Sequence, residues 1–443
     1  MKKGEIYFGY VLAILAMAIM IAGMVHMFRN IEAGNTYVSE SEEKENVRAE
    51  EEIQITLDIE NPVIRVLLMS TGYQDILHPT VQLSAESGLQ LTYGDQTEEW
   101  QTGEILTLNP DDARFASGTI NISPMQTGDE IKVCNMERGY GNPCYAGTME
   151  LRTTAEGIIM INELPLEEYL CKVVPSEMPT SYEPEALKAQ AVCARSYACR
   201  QMSSYAYPEY EAHVNDSTDY QVYNNSLPQE SASAAVRETQ GQVLMYQGQI
   251  AVTYYYSTSC GRTTDMGAWG SDVNEGNAYL RSVSVCDENG DYERNLPWYR
   301  WTAEIPVSVL SDLIGINTGV DVGNLSSLEV TKRGAGDVAL QIVASGDKGS
   351  VTVDTENKIR RALGGRGYTI MKNDGTVVDS APLLPSAFFS VEKSGETFIV
   401  KGGGFGHGIG MSQNGANEMA KQGKAYQEIL GLFYPGTAIE KLE

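Results

Sequence analysis

Apolar residues recur at helical spacing in two neighbouring stretches between residues 164 and 202. The first stretch carries a stripe with the spacing of a buried helix face, and its members are Leu166, Tyr169, Leu170, Val173 and Val174. Pro175 is predicted to stop this helix, and Pro179 lies on the far side of the resulting corner. A second helix is predicted from Pro184, and one of its faces carries Leu187, Ala191, Ala194, Ala198 and Met202. Glu177 lies in the corner, where two packed elements can hold a carboxylate beside a cleft.

Short alternating or β-branched runs between turn residues predict strands ahead of these helices. The runs are 64–69, 80–85, 103–108, 118–123 and 157–162. Beyond the helices, the pattern predicts a hairpin and loop at 241–259 and a short helix at 307–315. The predicted fold class is α+β, with antiparallel sheets and a central helical motif that flanks a cleft.

The first 52 residues follow a different pattern. Residues 7–28 are almost uninterrupted in their apolarity and long enough to cross a bilayer, which predicts an N-terminal transmembrane helix. The tail at 1–6 carries Lys2 and Lys3, so we expect a single-pass protein of the cell membrane whose C-terminal part is extracytoplasmic. A cleaved signal peptide is the alternative. Residues 29–52 are predicted to form an acidic, solvated stalk.

The rest of the chain divides into four parts by pattern. They are a β-rich part at 53–150, a core with the helical motif at 151–265, a mixed α/β insert region at 266–400, and a C-terminal glycine-rich part at 401–443. The formal net charge of −27 argues against a nucleic-acid partner, whose phosphates would be repelled.

Seven cysteines leave at least one without an intramolecular partner. Cys134 and Cys144 flank a turn-rich loop and form one candidate disulfide, and Cys260 and Cys286 form a second. The chain has no C-x-x-C pair and only four histidines, so we expect neither a metal nor a cofactor.

Glycines alternate with larger residues near the C-terminus, at 404, 406, 408 and 410. This period of two leaves bare backbone on one side, which permits another group to approach closely. The other side presents Phe405, His407 and Ile409. Two interpretations stay open: the glycines let two pieces of backbone pack with His407 as a structural residue, or His407 lines a substrate cleft.

Several separated motifs, in one order along the chain, resemble the stage II sporulation protein D family. They are LPLEEYLCKVVPSEMPTSYEPEALKAQAVCARSYACRQ at 164–201, YYYSTSCGRTTD at 254–265, AYLRSV at 278–283, GGGFGHGIGMSQNGANEMAKQG at 402–423 and ILGLFYPGT at 429–437. The resemblance therefore assigns 151–265 and 401–443 to one family core. Some sporulation members of the family carry a His/Cys metal cluster before a QVY sequence; here that stretch is NDSTDYQVY at 215–223 and has neither ligand type, so no metal is carried over.

The resemblance implies a membrane-anchored lytic transglycosylase that cleaves the glycan strands of peptidoglycan after their stem peptides have been removed. Glu177 matches the family's catalytic glutamate, which acts as general acid and then general base to leave a 1,6-anhydro end, whereas ordinary glycosidases use two carboxylates. The implied setting is engulfment during sporulation, with a cell-wall amidase and other membrane engulfment proteins as partners. The alternative is a non-catalytic wall-binding protein that recruits or enhances an N-acetylmuramoyl-L-alanine amidase, as another branch of the family is described.

A working acid needs a pKa raised by burial, and Val173 and Met178 can supply apolar walls, while Lys172 or Arg195 would act in the opposite direction. The candidate substrate-binding residues are Gln190, Arg195, Tyr197, Ser257, Ser259, His407, Ser412 and Gln413. Arg195 can hold a sugar oxygen or a lactyl carboxylate, or it can pair with Glu183 or Glu185. Asn414 stands where family members often carry an aromatic residue.

Overall fold

Alternating apolar residues in the first part of the chain form two sheets. The computed structural model describes residues 61–223 and 229–442. In spatial order, the strands of the seven-stranded sheet are Val214–Asn215, Val63–Leu68, Ile158–Pro165, Thr148–Thr153, Ile120–Pro124, Leu89–Tyr93 and Gln96–Trp100. Those of the four-stranded sheet are Leu106–Leu108, Val81–Ser84, Ile131–Val133 and Cys144–Tyr145. Neighbouring strands are antiparallel except for the parallel pairing of Val63–Leu68 with Val214–Asn215. The antiparallel class is confirmed.

The second part of the chain adds smaller sheets. A five-stranded sheet has the order Val377–Asp379, Thr369–Lys372, Trp301–Pro306, Thr397–Gly402, Phe389–Ser394. Two three-stranded sheets have the orders Leu325–Arg333, Ala339–Gly346, Gly349–Asp354 and Gln249–Ile250, Gln242–Tyr246, Ala438–Lys441. Two short pairs join Tyr255–Tyr256 in parallel with Met411–Ser412, and Cys286–Asp287 with Gly290–Asp291. The hairpin expected at 241–259 is therefore present, and the C-terminal strand extends it.

The helices of the described residues are α1 (Leu166–Glu177), α2 (Pro184–Gln201), α3 (Glu230–Glu238), α4 (Val307–Thr318), α5 (Glu356–Leu363), α6 (Gln413–Lys421) and α7 (Tyr426–Phe433). Short 3₁₀ turns occur at Thr71–Tyr73, Ala113–Ser117, Met266–Trp269, Glu275–Leu280, Pro297–Tyr299 and Ala335–Asp337. The two central helices and the helix expected at 307–315 are confirmed, the last extending to Thr318.

Helix α2 lies at the centre of the core because its small residues let neighbours approach closely. Its alanines, together with Leu187 and Cys193, are almost completely buried. It packs against α1, α3, α6, α7 and the strand Gln242–Tyr246. Segments that are far apart in the sequence, from 166–177 to 426–433, are thus brought to one helix, which positions the candidate site. All the described residues lie in one compact unit, and the boundaries proposed within it at 150, 265 and 400 stay predictions.

The membrane-spanning part of the predicted fold class and the single-pass localisation need correction. The transmembrane helix predicted at 7–28 and the stalk at 29–52 lie outside the described residues. Within residues 61–223 and 229–442, no helix combines the length and the apolarity needed to cross a membrane. The longest described helix, α2, has 18 residues but carries Glu185, Lys188, Arg195 and Arg200. The structure supports an α+β fold with antiparallel sheets and gives no support to a membrane anchor.

Candidate active site

Glu177 is the last residue of α1, and the helix continues through Pro175 instead of ending there. The fixed φ of proline is compatible with a helix. Pro175 therefore removes one main-chain donor from α1 without ending the helix. The next turn is held by Ser176 Oγ, which donates to the Lys172 carbonyl at 2.7 Å, and by Met178 N, which donates to the Val174 carbonyl at 3.0 Å. The predicted apolar stripe is buried and fixes the orientation of the helix. Glu177 is therefore carried on a regular helix end, not on a loop.

The environment of Glu177 favours its protonated form more than water does. Burial raises its pKa from 4.5 to about 7, against the effect of two hydrogen bonds that favour the carboxylate. One comes from the main-chain N–H of Val222 to Oε1 at 2.7 Å, and the other from the Tyr255 hydroxyl. At neutral pH both protonation states are accessible, which is the condition for a group that donates and then accepts a proton.

The two cations that could have cancelled this effect are engaged elsewhere. Lys172 pairs with Glu130 at 2.9 Å. Arg195 is completely buried and binds Glu167 through two parallel hydrogen bonds, 2.7 and 2.8 Å long. The ion-pair alternative for Arg195 is thus the one observed, with Glu167 in place of Glu183 or Glu185. The hydrogen-bond donors that shift the pKa of Glu177 are therefore both neutral groups, Val222 N–H and the Tyr255 hydroxyl.

Gln221 and Tyr255 form a polar relay behind the carboxylate. The Gln221 side-chain amide donates to the Tyr255 hydroxyl at 3.1 Å, and the Tyr169 hydroxyl lies 3.5 Å from Gln221 Oε1. These contacts orient the Tyr255 hydroxyl toward Glu177. Gln221, Val222 and Tyr255 are not among the site residues predicted from the sequence, although all three lie in or beside the segments that carry the family resemblance.

Two predicted substrate-binding residues contact the main chain or each other near Glu177. Gln413 Nε2 donates to the Glu177 carbonyl at 2.9 Å and lies 3.4 Å from Gln190 Oε1. Gln190 is fully buried, and its Nε2 has no hydrogen-bond partner among the described residues. A buried donor without a partner costs free energy.

Ser259 and Ser412 are held by an acid, Glu293, that is not among the site residues predicted from the sequence. Glu293 is fully buried, accepts hydrogen bonds from Ser259 N at 2.9 Å and Ser412 Oγ at 2.8 Å, and also bonds the Ser259 hydroxyl. Burial raises the pKa of Glu293 to about 7. Glu293 thus ties the loop after Tyr256 to the beginning of α6. Its sequence surroundings contain no signal for this role, because the link exists only in three dimensions.

The remaining predicted residues have distinct positions. Ser257 is partly exposed, and its carbonyl accepts hydrogen bonds from the main chain and side chain of Asn414 at 2.9 and 3.1 Å. Tyr197 packs its ring against Tyr254. His407 bonds the Tyr255 carbonyl through Nε2 at 3.0 Å and Ile409 N through Nδ1 at 3.1 Å, and burial lowers its pKa to about 3.

These contacts favour the structural interpretation of the glycine stretch. The φ of Gly410 is +72°, and a Cβ there would lie 2.1 Å from the Tyr254 carbonyl oxygen. At Gly404, where φ is +83°, a Cβ would lie 2.9 Å from the Thr258 carbonyl oxygen. The group that approaches the bare backbone is therefore the 254–260 segment of the same chain. A neutral His407 then fixes the two segments side by side.

Tyr73 reaches the site from the 3₁₀ turn that follows the first strand. Burial raises its pKa, Arg138 opposes this, and the Asp216 and Glu177 carboxylates add to the rise. Its φ of 57° is unusual for a residue with a side chain, and such strain is often found at functional sites. The Arg138 guanidinium covers the ring at 4.4 Å and is held by the buried Asp216. The Tyr73 hydroxyl has no hydrogen-bond partner in the part of the chain that the structure describes.

Neither predicted disulfide is formed within the described residues. Cys134 is a free thiol whose Sγ lies 3.3 Å from Ser84 Oγ. Cys260 is a buried free thiol, and burial raises its pKa.

Comparison with known proteins gives this geometry a family. A family model described as "Stage II sporulation protein" matches residues 154–246, which include α1, α2, Glu177 and Val222. Stage II sporulation protein D of Bacillus subtilis (strain 168) is 31% identical over 300 residues, which are 64% of this chain and 76% of that protein. The chain belongs to the stage II sporulation protein D family. The protein of the same name from Bacillus amyloliquefaciens is 32% identical over 298 residues, with the same shares of the two chains.

Two further matches concern this member of the stage II sporulation protein D family. A model for a domain of unknown function matches residues 273–410, which cover most of the predicted insert region. A protein named amidase enhancer, from Bacillus subtilis (strain 168), is 27% identical over 296 residues, or 60% of this chain and 39% of that protein. The relatives thus include both a protein named stage II sporulation protein D and one named amidase enhancer.

Proposed function

We propose that this protein is a lytic transglycosylase that cleaves stem-peptide-free glycan strands of peptidoglycan during sporulation, with Glu177 as its catalytic residue. The observation that carries the proposal is the pKa of Glu177, which burial raises to about 7 at the position that matches the family motif. Membership in the stage II sporulation protein D family supports the substrate class.

The reaction needs one proton and no external nucleophile. Protonated Glu177 gives its proton to the glycosidic oxygen as the bond from that oxygen to the anomeric carbon breaks. The resulting carboxylate then takes the proton of the C6 hydroxyl of the same sugar while the C6 oxygen bonds the anomeric carbon. This step leaves a 1,6-anhydro ring and restores the acid. Val222 N–H and the Tyr255 hydroxyl stabilise the carboxylate formed between the two steps.

The surroundings of Glu293 favour a mechanism with one carboxylate. Glu293, like Glu177, has a pKa that burial raises to about 7. It has no exposed surface, however, and both its carboxylate oxygens accept hydrogen bonds from Ser259 or Ser412. It is therefore badly placed to meet a sugar or a water on the opposite side of the bond, as a two-carboxylate glycosidase requires.

The test is to incubate the full-length chain with stem-peptide-free glycan strands and to identify the released sugars by mass spectrometry. We expect products that end in 1,6-anhydro-muramic acid, and we expect Glu177→Gln to abolish them. Glu183→Gln is the matched control, since Glu183 is an exposed glutamate of the same corner. Products with reducing ends would replace the lytic mechanism by hydrolysis, and no product from the wild type would refute the enzyme.

A second function, amidase recruitment or enhancement, is favoured by the similarity to the protein named amidase enhancer. In that case the full-length chain should increase the rate of an N-acetylmuramoyl-L-alanine amidase on intact peptidoglycan. The two functions separate at Glu177→Gln, because an enhancer should keep its effect while a transglycosylase loses its product.

A further inference from the structure

Positive charge is concentrated in one pocket of this acidic protein. The pocket has a volume of about 310 Å³ and is lined by Arg262, Arg300, Arg333 and Lys401, with Asp337 as the one carboxylate in the lining. The whole chain has a formal net charge of −27. A concave site lined by positive charge focuses the electric field and attracts anions, even when the whole protein is negative.

Two of the three arginines of the pocket, Arg300 and Arg333, are held in place by the main chain. Arg300 donates to the carbonyls of Cys260 at 3.1 Å and Tyr299 at 2.7 Å, and its guanidinium covers the Tyr299 ring at 3.9 Å. Arg333 donates to the Phe389 carbonyl at 2.8 Å. Guanidinium groups fixed in this way lose little entropy when they bind a ligand, unlike mobile surface lysines.

The acids nearby do not neutralise these cations. Asp337 is shared by Arg262 at 3.5 Å and Arg333 at 3.6 Å, distances longer than a good ionic hydrogen bond. Lys401 pairs with Glu392 at 2.9 Å. Asp291 bonds the Tyr299 hydroxyl, to which Arg300 also donates at 3.1 Å. Three acids therefore face four cations, and an excess of one positive charge remains.

The pocket is connected to Glu177 by the segment that packs on the glycine stretch. Tyr255 bonds the Glu177 carboxylate, and Cys260, five residues later, lines the pocket. Five residues span at most about 18 Å, so Tyr255 and Cys260 are no farther apart than the length of a few sugars.

Two aromatic rings lie beside this connection. The Trp298 and Phe405 rings are 4.8 Å apart, and Phe405 is 37% exposed. Phe405 bonds Thr258 through the main chain, and Gly404 N donates to the Trp298 carbonyl at 2.8 Å. An exposed aromatic face next to polar groups is a suitable surface for a sugar ring.

We propose that the pocket is a carboxylate-binding subsite, which holds a lactyl carboxylate of the glycan strand whose scissile bond lies at Glu177. The inference rests on the proposed function, because it takes the strand to be that substrate. A strand without stem peptides exposes a carboxylate on every muramic acid, so it is a polyanion that a protein of net charge −27 would otherwise repel. The planar fork of an arginine matches a carboxylate, which makes Arg262 and Arg333 the direct binding groups.

The test measures binding of full-length Glu177→Gln, which keeps the strand intact. Two polymers are compared: stem-peptide-free strands, and the same strands with their carboxylates converted to neutral methylamides. Arg262→Gln with Lys401→Gln removes two pocket charges, on side chains that are 50% and 59% exposed. The matched control, Arg237→Gln with Lys348→Gln, removes two charges that are 59% and 61% exposed and lie in other ion pairs.

We expect the pocket variant to bind the anionic strands about tenfold more weakly than the control variant does. Both variants should bind the methylamide strands equally, and the difference should shrink as salt rises. Equal affinities of the two variants for the anionic strands, equal binding of both polymers by the parent, or no binding at all would each overturn the subsite. Wild-type cleavage is measured separately, so a failure of the proposed enzyme is not confused with a failure of the pocket.

Discussion

The side-chain amide of Gln413 donates a 2.9 Å hydrogen bond to the main-chain carbonyl of Glu177, which precedes it by 236 residues. Glu177 ends α1 and Gln413 begins α6, so the bond joins the ends of two helices. It occupies a carbonyl of the last turn, one of the groups that a helix cannot satisfy internally.

Gln413→Leu should therefore disturb the orientation of Glu177. Loss of a partner for a buried polar group costs about 1–3 kcal/mol, so we expect a lower free energy of unfolding by that amount. We also expect kcat of the proposed cleavage to fall more than KM rises, since the bond that is lost positions the main chain of the acid. Denaturant unfolding and steady-state kinetics measure the two effects, and unchanged kcat in a stable variant would contradict this role.

The pH dependence of cleavage should follow Glu177. Its pKa of about 7 means that the acid form dominates below pH 7 and is lost above it, so kcat/KM should be level at low pH and fall about tenfold per pH unit above 7. Tyr255→Phe removes a donor that favours the carboxylate, which raises the pKa further. The fall in kcat/KM should then begin at a higher pH in this variant, even if its maximum rate is lower. A fall that begins at the same or a lower pH would refute the assignment of Glu177 as the acid.

Glu293 should make the stability of the fold depend on pH. Its folded pKa of about 7 is above the ordinary value of 4.5, so its contribution is fully present below pH 4.5 and is lost as pH rises through 7. Compared with Glu293→Gln, the wild type should therefore lose up to about 3 kcal/mol of unfolding free energy between these pH values. Parallel curves for the two proteins, from denaturant unfolding at several pH values, would show that Glu293 does not titrate in this range.

Tyr73→Phe should leave stability unchanged, because the hydroxyl has no partner within the described residues and the ring still covers Arg138. Tyr223→Phe is the matched comparison, since its buried hydroxyl donates to Asn162 Oδ1 at 2.8 Å. That loss should cost about 1–3 kcal/mol. Thermal unfolding distinguishes the two variants, and a large loss from Tyr73→Phe would mean that the hydroxyl has a partner in solution.

The local elements of the site could be predicted from the sequence because their patterns are local. The stripe from Leu166 to Val174 and the small residues of α2 define both helices, and the motif selects Glu177. Pro175 misled the prediction of the helix end, since a proline can remain in a final helical turn when side-chain and capping bonds hold that turn.

The contacts between distant segments could not be predicted in the same way. Glu167 pairs with Arg195 across two packed helices, while Glu183 and Glu185 are closer in sequence but do not bond it in the structure. Glu293 lies between the motifs, so no spacing rule connects it with Ser259 or Ser412. A motif specifies residue types along the chain, whereas the pairing of distant side chains depends on how the helices and sheets pack.

The parallel pairing of Tyr255–Tyr256 with Met411–Ser412 has a consequence for the order of assembly. A ribosome delivers α1 long before it delivers Gln413, and the strand Ala438–Lys441 that closes the hairpin at Gln242–Tyr246 comes later still. Contacts this far apart in sequence form slowly, because the intervening chain must be ordered first. The nascent protein therefore carries Glu177 with Val222 and Tyr255 before Gln413, which bonds the Glu177 carbonyl, has been made. The site becomes complete only when residues 411–441 have packed against these earlier segments.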